Sequence, residues 1–390
     1  MSGSGVEISV FKENHQLHFV PLHKIDSYHN DMEKGELEDI FKKRSHLVIL
    51  GAGATIAALP NGDRFGKKSS VMNDFLSNLG LSSILDGVEL KTTSTNIEDI
   101  YSELYERSDE KAIQVREELE KQVYNYFSSL RIPEEPTIYD LLLLSLTEKD
   151  CIVSFNWDDI LIQAFQRAKK ITSNLPRLAF LHGNVGAGYC KECGEYGARR
   201  NRCHSCGSYF IPAPLLYPVR EKDYHTHKFI FNQWEVLRYF IASAAVVTVF
   251  GYSAPKTDTA AIEIFKDNFL KFGENVRQLD RIEIIEAPNK THEEIYESWG
   301  DFIGMTHGHI NIHHSFFDSL LAEFPRRTME GYTHRYISGY WGSSAIKFES
   351  SDNSFTDIGK KIAPLLEDEE KDILEIYPDN YSKNSIDNGY

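Results

Sequence analysis

Residues 152–160, IVSFNWDDI, begin like a buried strand and run straight into Asn156 and Asp158. An amide and a carboxylate at the carboxyl end of a buried parallel strand stand where open α/β sheets take their ligands. The stretch LAFLHG, 178–183, places His182 in the same way just past another apolar run. An imidazole is suited to taking a proton from a ribose hydroxyl near neutral pH, and an amide can orient a ribose or a water without itself titrating. Asp158 has two readings. It is either a carboxylate that stabilises positive charge growing at a reacting carbon, or the cap of the helix that DILIQAF begins.

Gly51, Ala52, Gly53 and Thr55 follow a third apolar run as GAGAT. Glycines at the end of a strand let a pyrophosphate approach the backbone, and a helix start favours the anion. The full G-x-G-x-x-G is absent because position 56 is Ile, so plain close packing is the competing reading. VFGYSAPKTD ends a further run with Gly251 and Ser253, followed by Thr257 and Asp258. Its backbone and hydroxyls can donate to a phosphate or a ribose. The turn-rich ALPNGDRF, 58–65, carries Asp63 and Arg64 as either a solvated loop or a lid.

Cys190, Cys193, Cys203 and Cys206 read C-x2-C-x9-C-x2-C. Two such knuckles can set four thiolates tetrahedrally about Zn²⁺ and fold a short, core-poor segment around it. Two disulfides are the alternative, which the absence of a signal-peptide pattern at the N-terminus disfavours. His307, His309 and His313 in HGHINIHH suggest a metal, yet histidines with no carboxylate in view read first as a surface loop.

These residues need a scaffold. Five apolar runs, at 47–53, 151–158, 178–183, 245–253 and 281–287, alternate with helical patterns and imply a doubly wound parallel sheet. Between the first two, Ile97, Ile100, Tyr101 and Leu104 recur at helical spacing and mark an inserted helical lobe over 70–145. The expected division is an N-terminal segment 1–44, a catalytic domain 45–325 with a zinc module at 188–210, and an extension 326–390 that is acidic and loose at its end. With 390 residues and 41% hydrophobic content the chain can bury a large core, and no apolar run reaches membrane-spanning length. A cytoplasmic protein is the expectation. The net charge of −16 excludes a nucleic-acid surface spread over the whole molecule and leaves only local contact open.

GAGAT, FNWD, LHG, the four cysteines and GYSAPKTD, in that order, resemble the sirtuin superfamily, and more closely the sirtuin-like NAD hydrolases of bacterial antiphage defence than the protein deacylases. The resemblance implies a Rossmann-like NAD-binding sheet, helices on both its faces, and a structural zinc module. It also implies that Asn156 and His182 are catalytic, with Asp158 in the same stretch. NAD would lie with its pyrophosphate on Gly51, Ala52, Gly53 and Thr55 and its adenosine end near Gly251 and Ser253. Where deacylases carry a Pro-Asp-Phe-Arg segment this chain has LPNGDRF, so Arg64 is an approximate counterpart. Where they carry the Val-x-Phe-Gly-Glu stretch that pairs with acyl-lysine, it has LLYPVREKDYH. Water is therefore the expected acceptor, giving nicotinamide and ADP-ribose.

Stand-alone sirtuin-like subunits of this size resemble those that pair with a HerA-type hexameric ATPase. That implies a homo-oligomer and an ATPase partner, with contacts through 70–145 or through YISGYWGSSAIKF, 336–348. The alternative for Tyr336, Tyr340 and Trp341 is cover for the back of the sheet. Two other functions compete: a non-catalytic nucleotide-binding scaffold, and a nuclease activity within the complex.

Overall fold

The first strand, β1 (His46–Leu50), is HLVIL, apolar without alternation after its histidine, and all five residues are buried. Such a strand needs cover on both faces, which a central place in a parallel sheet provides. The computed structural model describes residues 44–217, 227–252, 281–303, 310–337, 344–371 and 373. Ser253, Thr257, Asp258, His307, His309, Tyr340 and Trp341, with residues 1–43 of the N-terminal segment, lie outside the described residues.

Around β1 run β2 (Cys151–Ser154), β3 (Arg177–Phe180), β7 (Val246–Phe250), β8 (Arg281–Ile285) and β9 (Ile310–His313), in the order β3-β2-β1-β7-β8-β9. Every neighbouring pair is parallel. The order is that of a doubly wound dinucleotide-binding sheet, and its direction reverses between β1 and β7, where such sheets open a crevice. Five of these strands answer to the five apolar runs. The sixth corrects the reading of the histidine-rich stretch: INIH is the edge strand β9, pairing with β8, and not a surface loop. Its alternation of Ile310 and Ile312 with polar residues is a period of two that the histidines obscure. His313 is spoken for by Glu283, at 3.3 Å.

Helix α1 (Ala52–Ala58) leaves β1, and between β1 and β2 follow α2 (Phe75–Asn78), α3 (Ile97–Glu106), α4 (Glu110–Ser129) and α5 (Ile138–Leu144). The caps are local. The Asn96 side chain accepts from Glu98 N at the head of α3, and Asp109 accepts from Ala112 N at the head of α4. Ile97, Ile100, Tyr101 and Leu104 are all buried, as their spacing requires. At α5 the Asp140 carboxylate takes Thr137 N (2.7 Å) and pairs with Arg167 of α6 (Ile160–Ala168). Nearly all of IYDLLLL is buried, so α5 is a core helix.

A second, antiparallel sheet of β4 (Ala187–Tyr189), β5 (Tyr196–Ala198) and β6 (Ile211–Pro212), in the order β5-β4-β6, carries the four cysteines. Helix α7 (Lys228–Ser243) leads into β7 and α8 (His292–Ile303) into β9. Beyond the sheet come α9 (Leu320–Glu323), α10 (Thr328–Tyr332) and α11 (Phe355–Glu370). The acidic LEDEE run is the last turn of α11, and Glu369 within it receives Arg326 (2.6 Å) and Arg327 (2.9 Å) from the start of the extension.

Candidate active site

Three glycines interlock at the switch point. Gly51 N donates to Phe250 O (3.0 Å) and Gly53 N to Gly251 O (2.9 Å), which ties the turn from β1 into α1 to the end of β7. A Cβ on Gly51 would lie 2.5 Å from Gly251 O and 2.6 Å from Tyr252 Cα. Gly251 has φ +61°, and a Cβ there would lie 2.2 Å from Ala54 N. No side chain fits at either position. The close-packing reading of Gly-Ala-Gly is thus visible in the fold, with two of its amides bound to backbone carbonyls. The amide of Ala52, first in α1, has no hydrogen-bond partner among the described residues.

Because residue 51 has no side chain, Tyr252 reaches across β1 and stacks on Phe155, rings 4.2 Å apart and 5° from parallel. Phe155 meets the His182 ring edge-on at 4.9 Å. An aromatic layer therefore crosses the carboxyl edge of the sheet. The register pairs Ser154 with Phe180, so Asn156 and His182 each stand two residues beyond a matched pair on adjacent strands. His182 is 8% exposed and Asn156 9%. Leu216 N donates to His182 O (2.9 Å), and Gly183, at φ +78°, faces the carbonyl of Pro214 where any Cβ would collide.

Asn156 is held by a network that fixes its orientation. Its Nδ2 donates to Gly51 O (2.8 Å) and Thr55 Oγ1 (2.9 Å), with Tyr139 OH at 3.3 Å. A backbone carbonyl only accepts, so the amide nitrogen must face Gly51 and Oδ1 must face the other way. Thr55 Oγ1 donates to Asp158 Oδ2 (3.0 Å), which leaves the Tyr139 hydroxyl to donate to Thr55 Oγ1 (2.8 Å). Among the described residues no hydrogen bond reaches Asn156 Oδ1.

Asp158 is 3% exposed, and burial pushes its carboxyl up to about 6, against the pull of the Thr55 hydroxyl and the Ile160 amide and with Asp159 adding to the rise. Its Oδ1 accepts from Ile160 N at 3.2 Å, so the carboxylate also serves the first turn of α6. Of the two readings of Asp158, this bond carries the one that places it at the helix start. Burial, then the Asp158 charge, lift the Tyr139 phenol above its ordinary range and keep it a donor. Asn184 holds the loop from below, donating through Nδ2 to Asn156 O (3.3 Å) and to Asp158 O.

Sequence reasoning missed Tyr139 and Asn184. Tyr139 sits in an apolar run with no motif about it; its one signal is that a buried tyrosine hydroxyl must find a partner. Asp63, by contrast, is a loop organiser: Oδ1 accepts from Phe65 N (2.9 Å) and Lys67 N (2.8 Å), and Oδ2 from Arg131 N (2.9 Å). Arg64 is exposed and paired with Glu134.

The four cysteine sulfurs lie within 4.8 Å of one another, and those of Cys190 and Cys206 are 3.5 Å apart. Sulfurs about a tetrahedral zinc stand about 3.8 Å apart, given Zn–S bonds of about 2.3 Å. All four cysteines are free of disulfides. Each C-x2-C is followed by a glycine of positive φ, Gly194 at +73° and Gly207 at +74°, which closes the knuckle. Gly194 N donates to Cys190 O and Gly207 N to Cys203 O, both at 2.9 Å, so the two halves repeat one geometry. The cluster can hold a metal ion.

No protein-family model matches the chain, and no curated protein matches it. Solved structures do. A Sir2 homologue in complex with NAD is 15% identical, over 77% of this chain and 95% of that one, with a TM-score of 0.38. A Sir2 bound to acetylated peptide is 14% identical over 79% and 99%, TM-score 0.34, and a Sir2 with p53 peptide and NAD⁺ 14% over 79% and 99%, TM-score 0.33. At such identities and scores the reading of the site rests on its own geometry.

Proposed function

We propose that the chain is an NAD glycohydrolase of the sirtuin-like type, cleaving NAD with water to nicotinamide and ADP-ribose. The observation that carries the reading is Asn156: its amide hydrogens are consumed by Gly51 and Thr55, so only Oδ1 is left to accept from a water or to face positive charge at the nicotinamide ribose. In the reaction the C1′–N bond breaks, nicotinamide leaves with the electron pair, and water adds to C1′ with loss of a proton. His182 is the base toward the ribose hydroxyl or the water. Asp158 works from behind. Its negative charge holds the Thr55 hydroxyl, and Thr55 in turn holds the Asn156 amide, which adds electron density to Oδ1.

The pyrophosphate would lie at the start of α1, where Gly51 and Gly53 keep the backbone bare and Ala52 offers an amide, with Thr55 supporting from beneath. The adenosine end would lie toward Gly251 and Ser253. Cys190, Cys193, Cys203 and Cys206 would hold a structural Zn²⁺, which supplies the cross-link that a segment with so small a core needs. The effector role in antiphage defence, as a homo-oligomer acting with a HerA-type ATPase, is what the resemblance to stand-alone sirtuin-like defence subunits implies.

A nuclease would require a carboxylate-bound metal, and among the described residues the only group of metal-binding type is the four cysteines. The test is incubation of the purified protein, alone and with a co-expressed ATPase, with NAD, following nicotinamide by chromatography. Asn156→Ala and His182→Ala should each abolish release, a loss of at least about 100-fold, with the fold retained. Near-wild-type turnover in either variant refutes the assignment. A chain that stays monomeric and elutes apart from the ATPase refutes the assembly.

A further inference from the structure

A second site lies away from the switch point, and it does not rest on the NAD reading. A cavity of about 220 Å³ opens between the four-cysteine module and the start of α7, lined by Tyr189, Lys191, His227, Lys228, Phe229 and Asn232 among others. Its aromatic wall is held by contacts within itself. Tyr189 OH and His227 Nε2 are 3.2 Å apart, the two rings meet edge-on at 5.1 Å, and Phe229 stands 5.8 Å from Tyr189.

The wall extends into a face. Tyr189 pairs in register with Tyr196 on one side and Ile211 on the other, so the three share one side of the small sheet. Phe210 fills the opposite side, where Cβ atoms on Gly188 and Gly197 would meet it at 2.9 and 2.8 Å. Alternation then sends Tyr209 the same way as Ile211, away from Phe210. Tyr196 is 42% exposed, Ile211 39% and Tyr209 63%, which is uncovered apolar surface on a module that has little core.

The charge around this face selects its occupant. Lys191 and Lys228 line the cavity and Arg202 stands on Tyr209, all three exposed, on a chain whose net charge is −16. Arg202 lies over the Tyr209 ring at 3.8 Å, so cation and ring form one platform. Of the module's carboxylates, Glu192 is exposed, while Glu195 is occupied within the second knuckle by Cys203 Sγ and His204 N. Aromatic rings interleaved with cations are the chemistry of base stacking with phosphate contact.

We propose that this face binds a phosphorylated nucleobase as one nucleotide of a single strand, with the base against Tyr189 and His227 and phosphate toward Lys191 and Lys228. The strand continues over Ile211 to the Tyr209–Arg202 platform. The test is fluorescence anisotropy with a labelled ten-nucleotide oligo-dT over a salt series, and calorimetry with dTMP for a free nucleotide. The variants are the double change Lys191→Ala and Lys228→Ala, and the single change Tyr209→Ser; all three side chains are exposed, and retained metal content verifies folding.

The double variant should weaken the oligonucleotide at least 10-fold and flatten its log–log salt slope by about 1.4, for two phosphate contacts on a single strand. Tyr209→Ser should weaken the oligonucleotide and leave dTMP unchanged, which identifies a strand; if it moves neither while the double variant weakens dTMP, the continuation past Ile211 is wrong. Absence of binding, binding unchanged in the double variant, or binding lost in Asn156→Ala instead would overturn the site. Concentration-dependent self-association that the same variants abolish, without oligonucleotide binding, would assign the face to a second copy and equally overturn it.

Discussion

The central unit at the residue scale is four side chains and one carbonyl: Asn156, Thr55, Asp158, Tyr139 and Gly51 O. Tyr139→Phe removes the donor to Thr55 Oγ1 and the longer 3.3 Å contact with Asn156 Nδ2, while the ring keeps its place in the core. We expect a stability loss of about 1 kcal/mol in urea unfolding, and a drop in kcat for nicotinamide release larger than any change in KM. Equal effects on both would show that the hydroxyl serves the fold alone. Asp158 gives a pH signature. Its folded carboxyl is raised from 3.8 to about 6, so the folded state binds the proton more tightly than the unfolded one. The contribution is fully present below the unfolded value and is lost as pH rises through 6, at most about 3 kcal/mol. Asp158→Asn should flatten the stability profile between pH 4 and 6, and an unchanged slope would show that Asp158 is not the buried acid described.

At the scale of elements, the small antiparallel sheet has only Cys190, Cys203 and Phe210 as its own buried cluster. Three residues are a small core for some two dozen to order around, which is why the proposed zinc is expected to matter to this module. Chelation with a strong zinc ligand, or Cys203→Ser, should release about one zinc per chain and open residues 187–213 to protease while the parallel sheet survives. Metal-free protein that resists cleavage there would show that the knuckles stand without an ion. The module is fastened to the lobe by Arg199, whose guanidinium reaches the Tyr124 hydroxyl of α4, so its loss should be felt at that contact as well.

On the scale of the whole molecule, the extension after the sheet is locked by one carboxylate. Glu369 takes Arg326 and Arg327, both buried, and Arg326 Nη2 also donates to Asn174 O at 3.1 Å. Burial alone would raise the Glu369 carboxyl; the two guanidiniums outweigh it and hold it below the usual range. Glu369→Ala would leave two buried cations without their anion and should cost about 3–5 kcal/mol by denaturant unfolding. A loss under about 1 kcal/mol would mean that α11 is not part of the cooperative unit.

Sequence alone determined much of this protein, because its strands are buried on both faces and therefore read as continuous apolar runs. Five of six were legible, and so were the residues at their carboxyl ends, since a polar residue closing such a run has no core reason to be there. The four cysteines were legible because metal spacing is local. The sixth strand was not: INIH is a half-buried edge whose alternation is hidden among histidines. Only the tertiary structure decided the rest. It brought Tyr139 from α5 against Thr55, 84 residues away, a contact that no local pattern encodes. It set Tyr252 over Gly51, making that glycine a matter of room between β1 and β7. And it made Glu369 of the LEDEE run an anchor, because the worth of a carboxylate depends on which cations the fold buries beside it.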